Sequence, residues 1–184
     1  MNLPNKLTLT RIILVPVFMI FVSLTGLDGI VDGTFNAAFY LLAGIVFAAA
    51  SFTDFLDGHL ARKWHMVTDF GKFADPLADK LLTTVAFIYM LRDGVCSPVV
   101  LCIILAREFA VSGLRMIAAD KGRVIAAGWS GKVKTASTMV CICLILLGIP
   151  QVLNYVCQGI ILVTTVYSGV EYFAKNADVF KEVK

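Results

Sequence analysis

The chain has 184 residues, 59% of them hydrophobic and only 16% charged, with a mean hydropathy of +0.85. Water-soluble domains carry about 25% charged residues, so a fold with water on all sides is excluded, and residues 1–184 are expected to form one integral-membrane domain. A net charge of +3 is too small to point to nucleic acid, and the cysteines (Cys96, Cys102, Cys141, Cys143, Cys157) form neither a C-x-x-C pair nor a zinc spacing, so they are expected as small packing residues.

A spanning helix needs about 20 mostly apolar residues. Met1–Lys6 is too short for that and is expected as an interfacial segment on the membrane surface. Leu7–Thr25 is expected as the first span. Its apolar run after Lys6 and Arg11 has the flanks of a signal peptide, but no clear A-x-A cleavage pattern follows it. Further spans are expected at Phe35–Leu56, Asp75–Leu91 and Pro98–Ala118. Thr135–Val170 holds no charged residue and as one helix would run to about 54 Å, too long for a single crossing. Gly148-Ile149-Pro150, with Asn154 beyond it, supplies the turn signal that divides it into Ser130–Leu147 and Val152–Phe173. The expected fold is all-α and polytopic, six transmembrane helices with both termini on one side.

The connections Gly26–Thr34, Arg92–Ser97 and Gly148–Gln151 hold one basic residue, Arg92. Nearly all the other lysines and arginines fall on or near the opposite side, among them Lys6, Arg11, Arg62, Lys63, Lys72, Lys121 and Arg123. Positive charge marks the cytoplasmic face, so both termini and the two long connections are expected there.

Acidic residues near membrane depth are costly and mark function. The second expected span ends in Thr53-Asp54-Phe55-Leu56-Asp57-Gly58, and the third begins Asp75-Pro76-Leu77-Ala78-Asp79-Lys80. Asp54 and Asp57 are i,i+3 on a helix, and Asp75 and Asp79 are i,i+4, so each pair shares a face. With the connection Gly58–Ala74 in the cytoplasm, both pairs are expected at the same end of adjacent helices. Four ionised carboxylates that close would repel and take up protons unless cations sat among them. Hard oxygen donors suit Mg2+ or Mn2+, and two such ions stabilise attacking and leaving oxygens in a displacement at phosphorus. Gly58 leaves room for a phosphate or base to approach the backbone, Ala61 and Gly71 are likewise small, and Arg62 is placed to pair with phosphate.

The set Asp54-x2-Asp57-Gly58-x2-Ala61-Arg62-x8-Gly71-x3-Asp75-x3-Asp79 resembles, without a departure, the signature of the CDP-alcohol phosphatidyltransferases. The resemblance implies a six-helix membrane enzyme with a cytoplasmic active site, working as a homodimer in a bacterial cell membrane. It also implies that Asp54, Asp57, Asp75 and Asp79 surround the metal, with Asp79 as general base. Asp57, Gly58, Ala61, Arg62 and Gly71 would accommodate the CDP of a CDP-diacylglycerol donor.

The acceptor is read elsewhere. Arg107 and Glu108 sit mid-span in the fourth apolar segment, Arg115 lies further toward the cytoplasm, and Lys132 and Lys134 open the fifth. An arginine near the middle of the bilayer needs a partner or an aqueous cavity. Glu108 and Arg115, i,i+7, could form an internal ion pair, yet the four cations exceed what one carboxylate neutralises. A pocket with surplus positive charge suits a phosphorylated alcohol. The opening Asn2-Leu3-Pro4-Asn5-x2-Thr8-x2-Arg11, the step Ala106-Arg107-Glu108-Phe109, and Gly131-Lys132-x-Lys134-Thr135 resemble the bacterial branch of the family that makes phosphatidylglycerophosphate. That implies sn-glycerol 3-phosphate as acceptor, held by Arg107, Arg115, Lys132 and Lys134. Within the family the alternative acceptor is inositol phosphate. Outside it, intramembrane acids and arginines also suit a small cation-coupled transporter. His59 and His65 are expected as solvated loop residues, and Trp64 as an interfacial anchor.

Overall fold

The computed structural model describes residues 3–25, 33–63, 69–123, 125–126 and 128–180, with side chains described over 9–10, 12–25, 38–53, 80–123, 125–126 and 128–180. These residues form α1 (Leu3–Thr25), α2 (Gly33–Lys63), α3 (Asp69–Arg92), α4 (Pro98–Asp120), α5 (Trp129–Leu146) and α6 (Gln151–Lys175), followed by a 3₁₀ turn, Ala177–Phe180. There is no strand among the described residues. Each helix overlaps one expected span, so the all-α expectation holds.

Three boundaries differ, each for a local reason. α1 begins at Leu3, so Leu3–Lys6 is its first turn and not a separate interfacial segment. Pro4 permits this, because the first-turn amides of a helix have no intrahelical acceptor to lose. α2 continues past Leu56 to Lys63, and α3 begins at Asp69 rather than Asp75. Gly58 alone is too weak a breaker to stop a run rich in Leu, Ala, Arg and Lys, all good helix formers. The expected loop Gly58–Ala74 therefore contributes two helix ends, and His59 lies within α2. His65 and Trp64 lie outside the described residues.

Helix ends elsewhere follow their sequence signals. Ser97 caps α4, its side chain accepting from the Val99 amide at 3.3 Å, with Pro98 in the first turn. Gly94 and Gly122 take φ of 68° and 71°, and the chain folds back through Val95 N to Met90 O at 2.8 Å and Arg123 N to Ala118 O at 2.8 Å. This is the left-handed helix stop that glycine adopts without steric cost. Gly148, with φ of 76°, ends α5 just before Pro150, where the turn was expected.

The chain divides into two compact units, Met1–Val95 with Ile142–Pro150, and Cys96–Cys141 with Gln151–Lys184. In the first, α1 packs on α2 and α3. Phe18 is fully buried, its ring 5.9 Å from that of Phe47 and 6.5 Å, edge-on, from that of Tyr89. Arg92 closes the end of α1: Nη2 donates to Val22 O at 3.1 Å and to Thr25 Oγ1 at 2.9 Å, and Nε donates to Asp93 Oδ1 at 2.5 Å. Tyr40 donates to the other oxygen of Asp93. The hydrogen bond from Asp93 raises the pKa of Arg92 above its ordinary value. The one basic residue of the connections Gly26–Thr34, Arg92–Ser97 and Gly148–Gln151 is thus paired with a carboxylate and spent on a helix end.

In the second unit α4 packs on α6, and Val111, Leu114, Ala118, Tyr172 and Val179 form a core with Ile125 and Phe173 against it. The 3₁₀ turn is tied to the end of α4 by Lys121 Nζ donating to Val179 O at 2.7 Å and by an Arg123–Asp178 ion pair.

Trp129–Leu146 and Gln151–Lys175 are long and apolar enough to cross a bilayer, and Ile12–Thr25 and Ala38–Thr53 are shorter apolar stretches. On α6 several polar side chains are turned inward and valines outward. The buried positions include Asn154, Gln158, Thr165 and Ser168, while Val152, Val156, Val163, Val166 and Val170 are exposed. Apolar residues turned outward over polar ones turned inward is the arrangement lipid selects. The cysteines are all free, and burial pushes the Cys96 thiol up, away from the reactive thiolate.

Candidate active site

The continuation of α2 and the early start of α3 change the footing of the carboxylate set. Positions 54, 57, 58 and 61 are i, i+3, i+4 and i+7 within α2, one stripe of a regular helix. Positions 71, 75 and 79 are i, i+4 and i+8 within α3, again one stripe. Gly58, Ala61, Arg62 and Gly71, expected between helices, therefore stand in the same helical frames as the aspartates, and α2 and α3 pack together in the first unit. The side chains of Asp54, Asp57, Asp75 and Asp79, and of the residues expected to hold CDP, lie outside the described residues. As a donor set four carboxylates fit Mg2+ or Mn2+, which take hard oxygen ligands, and the helical phase puts each pair on one face.

The cations expected to hold the acceptor phosphate, Arg107, Arg115, Lys132 and Lys134, all lie among the described residues of the second unit. Glu108 Oε1 accepts from Arg107 Nη1 at 3.0 Å and from Lys134 Nζ at 2.6 Å, so α4 and α5 share a charge cluster. Lys134 is 8% exposed, and burial of an ammonium there is tolerable because a carboxylate lies against it. Arg115, which is exposed, donates from Nε to Tyr172 Oη at 2.9 Å and lies over that ring at 5.5 Å. Lys132 is also exposed and sits 5.9 Å above the Trp129 ring. Of the expected acceptor residues, Arg107 and Lys134 are thus brought together on one carboxylate, while Arg115 and Lys132 each rest on an aromatic ring. Glu108 takes Arg107 and Lys134 as partners, and Arg115 is held by α6.

Two residues of this cluster were not singled out in the sequence. Tyr172 orients Arg115. A side chain at Gly169 would place its Cβ 3.2 Å from Arg107 Cγ, so the Arg107 stem lies closer to α6 than it would beside any other residue. Tyr172 continues the polar stripe of α6 that runs through Asn154, Gln158, Thr165 and Ser168, while the contact at Gly169 is revealed only by the packing of α6 on α4.

The chain matches the family model of CDP-alcohol phosphatidyltransferase over residues 1–170. It belongs to that family. Membership decides between an enzyme and an ion carrier in favour of a phosphatidyltransferase. A relative from Bacillus subtilis, named CDP-diacylglycerol–glycerol-3-phosphate 3-phosphatidyltransferase, is 40% identical over 190 residues, covering 98% of this chain and 97% of its own. One of the same name from Rickettsia felis is 38% identical over 147 residues, 80% of this chain and 76% of that one. A protein named probable phosphatidylglycerophosphate synthase, from Mycobacterium tuberculosis, is 38% identical over 177 residues, 95% and 81% of the two chains.

Proposed function

We propose that this phosphatidyltransferase moves the phosphatidyl group of CDP-diacylglycerol to sn-glycerol 3-phosphate, giving phosphatidylglycerophosphate and CMP. The observation that carries the acceptor is the pair of shielded cations, Arg107 and Lys134, sharing a single carboxylate and so keeping one positive charge in excess. A neutral or zwitterionic alcohol has no use for that charge, whereas a phosphate does. The names of the relatives support the same pair of substrates.

In this proposal residues 1–184 act as one catalytic domain, a homodimer in a bacterial cell membrane. Its six helices cross the bilayer, with both termini and the active site cytoplasmic. Asp57, Gly58, Ala61, Arg62 and Gly71 receive the CDP, with small residues admitting it and Arg62 pairing with phosphate. Asp54, Asp57, Asp75 and Asp79 would hold two divalent ions, Mg2+ or Mn2+. When bound, these neutralise the diphosphate and stabilise the oxygen that leaves with CMP. Arg107, Arg115, Lys132 and Lys134 bind the acceptor phosphate. Asp79 takes the proton from the acceptor hydroxyl. The freed oxygen forms a bond to the phosphorus bearing diacylglycerol as that phosphorus loses its bond to CMP.

The test is a competition in detergent. Labelled CDP-diacylglycerol is offered glycerol 3-phosphate, inositol phosphate and serine together, and the lipid products are separated. Phosphatidylglycerophosphate should dominate. A preference for inositol phosphate or serine would move the chain to another branch, and no release of CMP with any acceptor would remove the proposal altogether.

A further inference from the structure

Arg107 is held on three sides, and one edge of its guanidinium is left without a partner among the described residues. Its Nη1 donates to Glu108 at 3.0 Å. Its Cγ lies where a Cβ on Gly169 would stand 3.2 Å away, and a Cβ on Gly131 would stand 3.8 Å from its Nη2. Its Nε is buried and meets no hydrogen-bond partner among the described residues. A buried guanidinium N–H left unpaired is expensive, so such a group is expected to find its partner in a ligand. Nε–H and the adjacent Nη2–H point the same way along one edge of the planar guanidinium, at the spacing of two phosphate oxygens.

Given the assignment of Arg107 to the acceptor phosphate, we infer that its Nε–Nη2 edge is a bidentate phosphate fork, with Glu108, Gly169 and Gly131 as its positioning residues. Glu108 clamps the opposite corner and, by taking Lys134 at 2.6 Å on the same oxygen, sets a second cation at a fixed distance from the first. A carboxylate beside a phosphate site repels the ligand, so its presence needs a compensating role. Holding two shielded cations in one geometry before the ligand arrives is such a role. Gly169 sets how closely the stem of Arg107 lies to α6, and Gly131 keeps the space beside Nη2 clear.

The experiment measures KM for both substrates and kcat on the purified full-length protein in mixed micelles, for Arg107→Lys, Glu108→Gln, Gly169→Ala and Gly131→Ala. Inorganic phosphate serves as a competitive probe of the fork. Arg107→Lys keeps the charge and loses the fork, and should raise KM for glycerol 3-phosphate by about ten- to a hundredfold. Glu108→Gln and Gly169→Ala should raise it by about tenfold, more than they lower kcat, and weaken phosphate inhibition in parallel. KM for the CDP-lipid should stay put throughout. If Arg107→Lys alone raises the acceptor KM, and the other variants stay within about twofold of the parent, the positioning inference is wrong while the acceptor assignment survives. If Arg107→Lys itself leaves that KM unchanged, the assignment beneath it fails. Equal rises in both KM values would show a general disturbance and also overturn it. Should Gly169→Ala fail to fold, Gly131→Ala decides: its methyl fits at an ordinary contact distance of 3.8 Å from Nη2 and, by filling the space beside the fork, should raise the acceptor KM about fivefold.

Discussion

Ionisable side chains at membrane depth are tolerated only when something answers their charge, and this chain answers in several ways. Glu108 serves Arg107 and Lys134 together. Arg115 and Lys132 rest on the faces of Tyr172 and Trp129, where the ring quadrupole attracts a cation. The four aspartates have one arginine, Arg62, in their signature, too little charge to answer all four, which is the physical case for metal among them. Asp75→Asn keeps the size of the side chain and removes the charge a divalent ion needs. It should lower transfer by at least about a thousandfold while helical content and elution profile stay those of the parent. Full turnover by a folded Asp75→Asn protein would refute the metal assignment.

At the scale of elements, stability rests on how helix ends are finished. The last carbonyls of α1 have no intrahelical donor, and Arg92 supplies one, bonding Val22 O and Thr25 Oγ1 while Asp93 holds its Nε. Arg92→Ala would take one charged donor from Val22 O, Thr25 Oγ1 and Asp93, leaving Val22 O with Thr25 Oγ1 and Asp93 with Tyr40, at a cost of about 1–3 kcal/mol. Thermal unfolding in detergent should show it as a Tm lowered by several degrees, and an unchanged Tm would mean that water serves the end of α1 equally well. At the end of α4, Lys121 and Arg123 anchor the 3₁₀ turn. Two of the basic residues that read as a topological signal thus also fasten structure. The two roles do not conflict, because both place the charge at a helix end near water.

For the whole molecule, the proposed direction through the bilayer rests on the charge distribution. Asp120, at the end of α4, is expected on the cytoplasmic side, and Gln151, at the start of α6, on the other; both are exposed. In a background with the five native cysteines replaced, Gln151→Cys should react with an impermeant maleimide in intact spheroplasts. Asp120→Cys should react only after the membrane is opened. Labelling of both from outside would reverse or abolish the proposed topology. The outward apolar face of α6, with Val163, Val166 and Val170 exposed over buried Thr165 and Ser168, agrees with lipid around that helix.

The sequence by itself determined the six helices found among the described residues and the turn at Gly148, and the proposed chemistry of the carboxylate set rests on it alone. These depend on composition, on single residues with special backbone freedom, or on spacing along one helix, all of which are local. It misplaced the ends of α2 and α3, because Gly58 reads as a break while the helix-forming residues around it outweigh one glycine. That mistake hid how regularly positions 54, 57, 58 and 61, and then 71, 75 and 79, repeat within their helices. The acceptor cations were legible as a surplus of charge, but their partners were not. Only tertiary structure decided that Arg107 and Lys134 meet on Glu108, that Tyr172 holds Arg115, and that Gly169 makes room for Arg107. Those contacts join residues from 26 to 62 positions apart, and no periodicity within a single helix encodes which face of a neighbour it will meet.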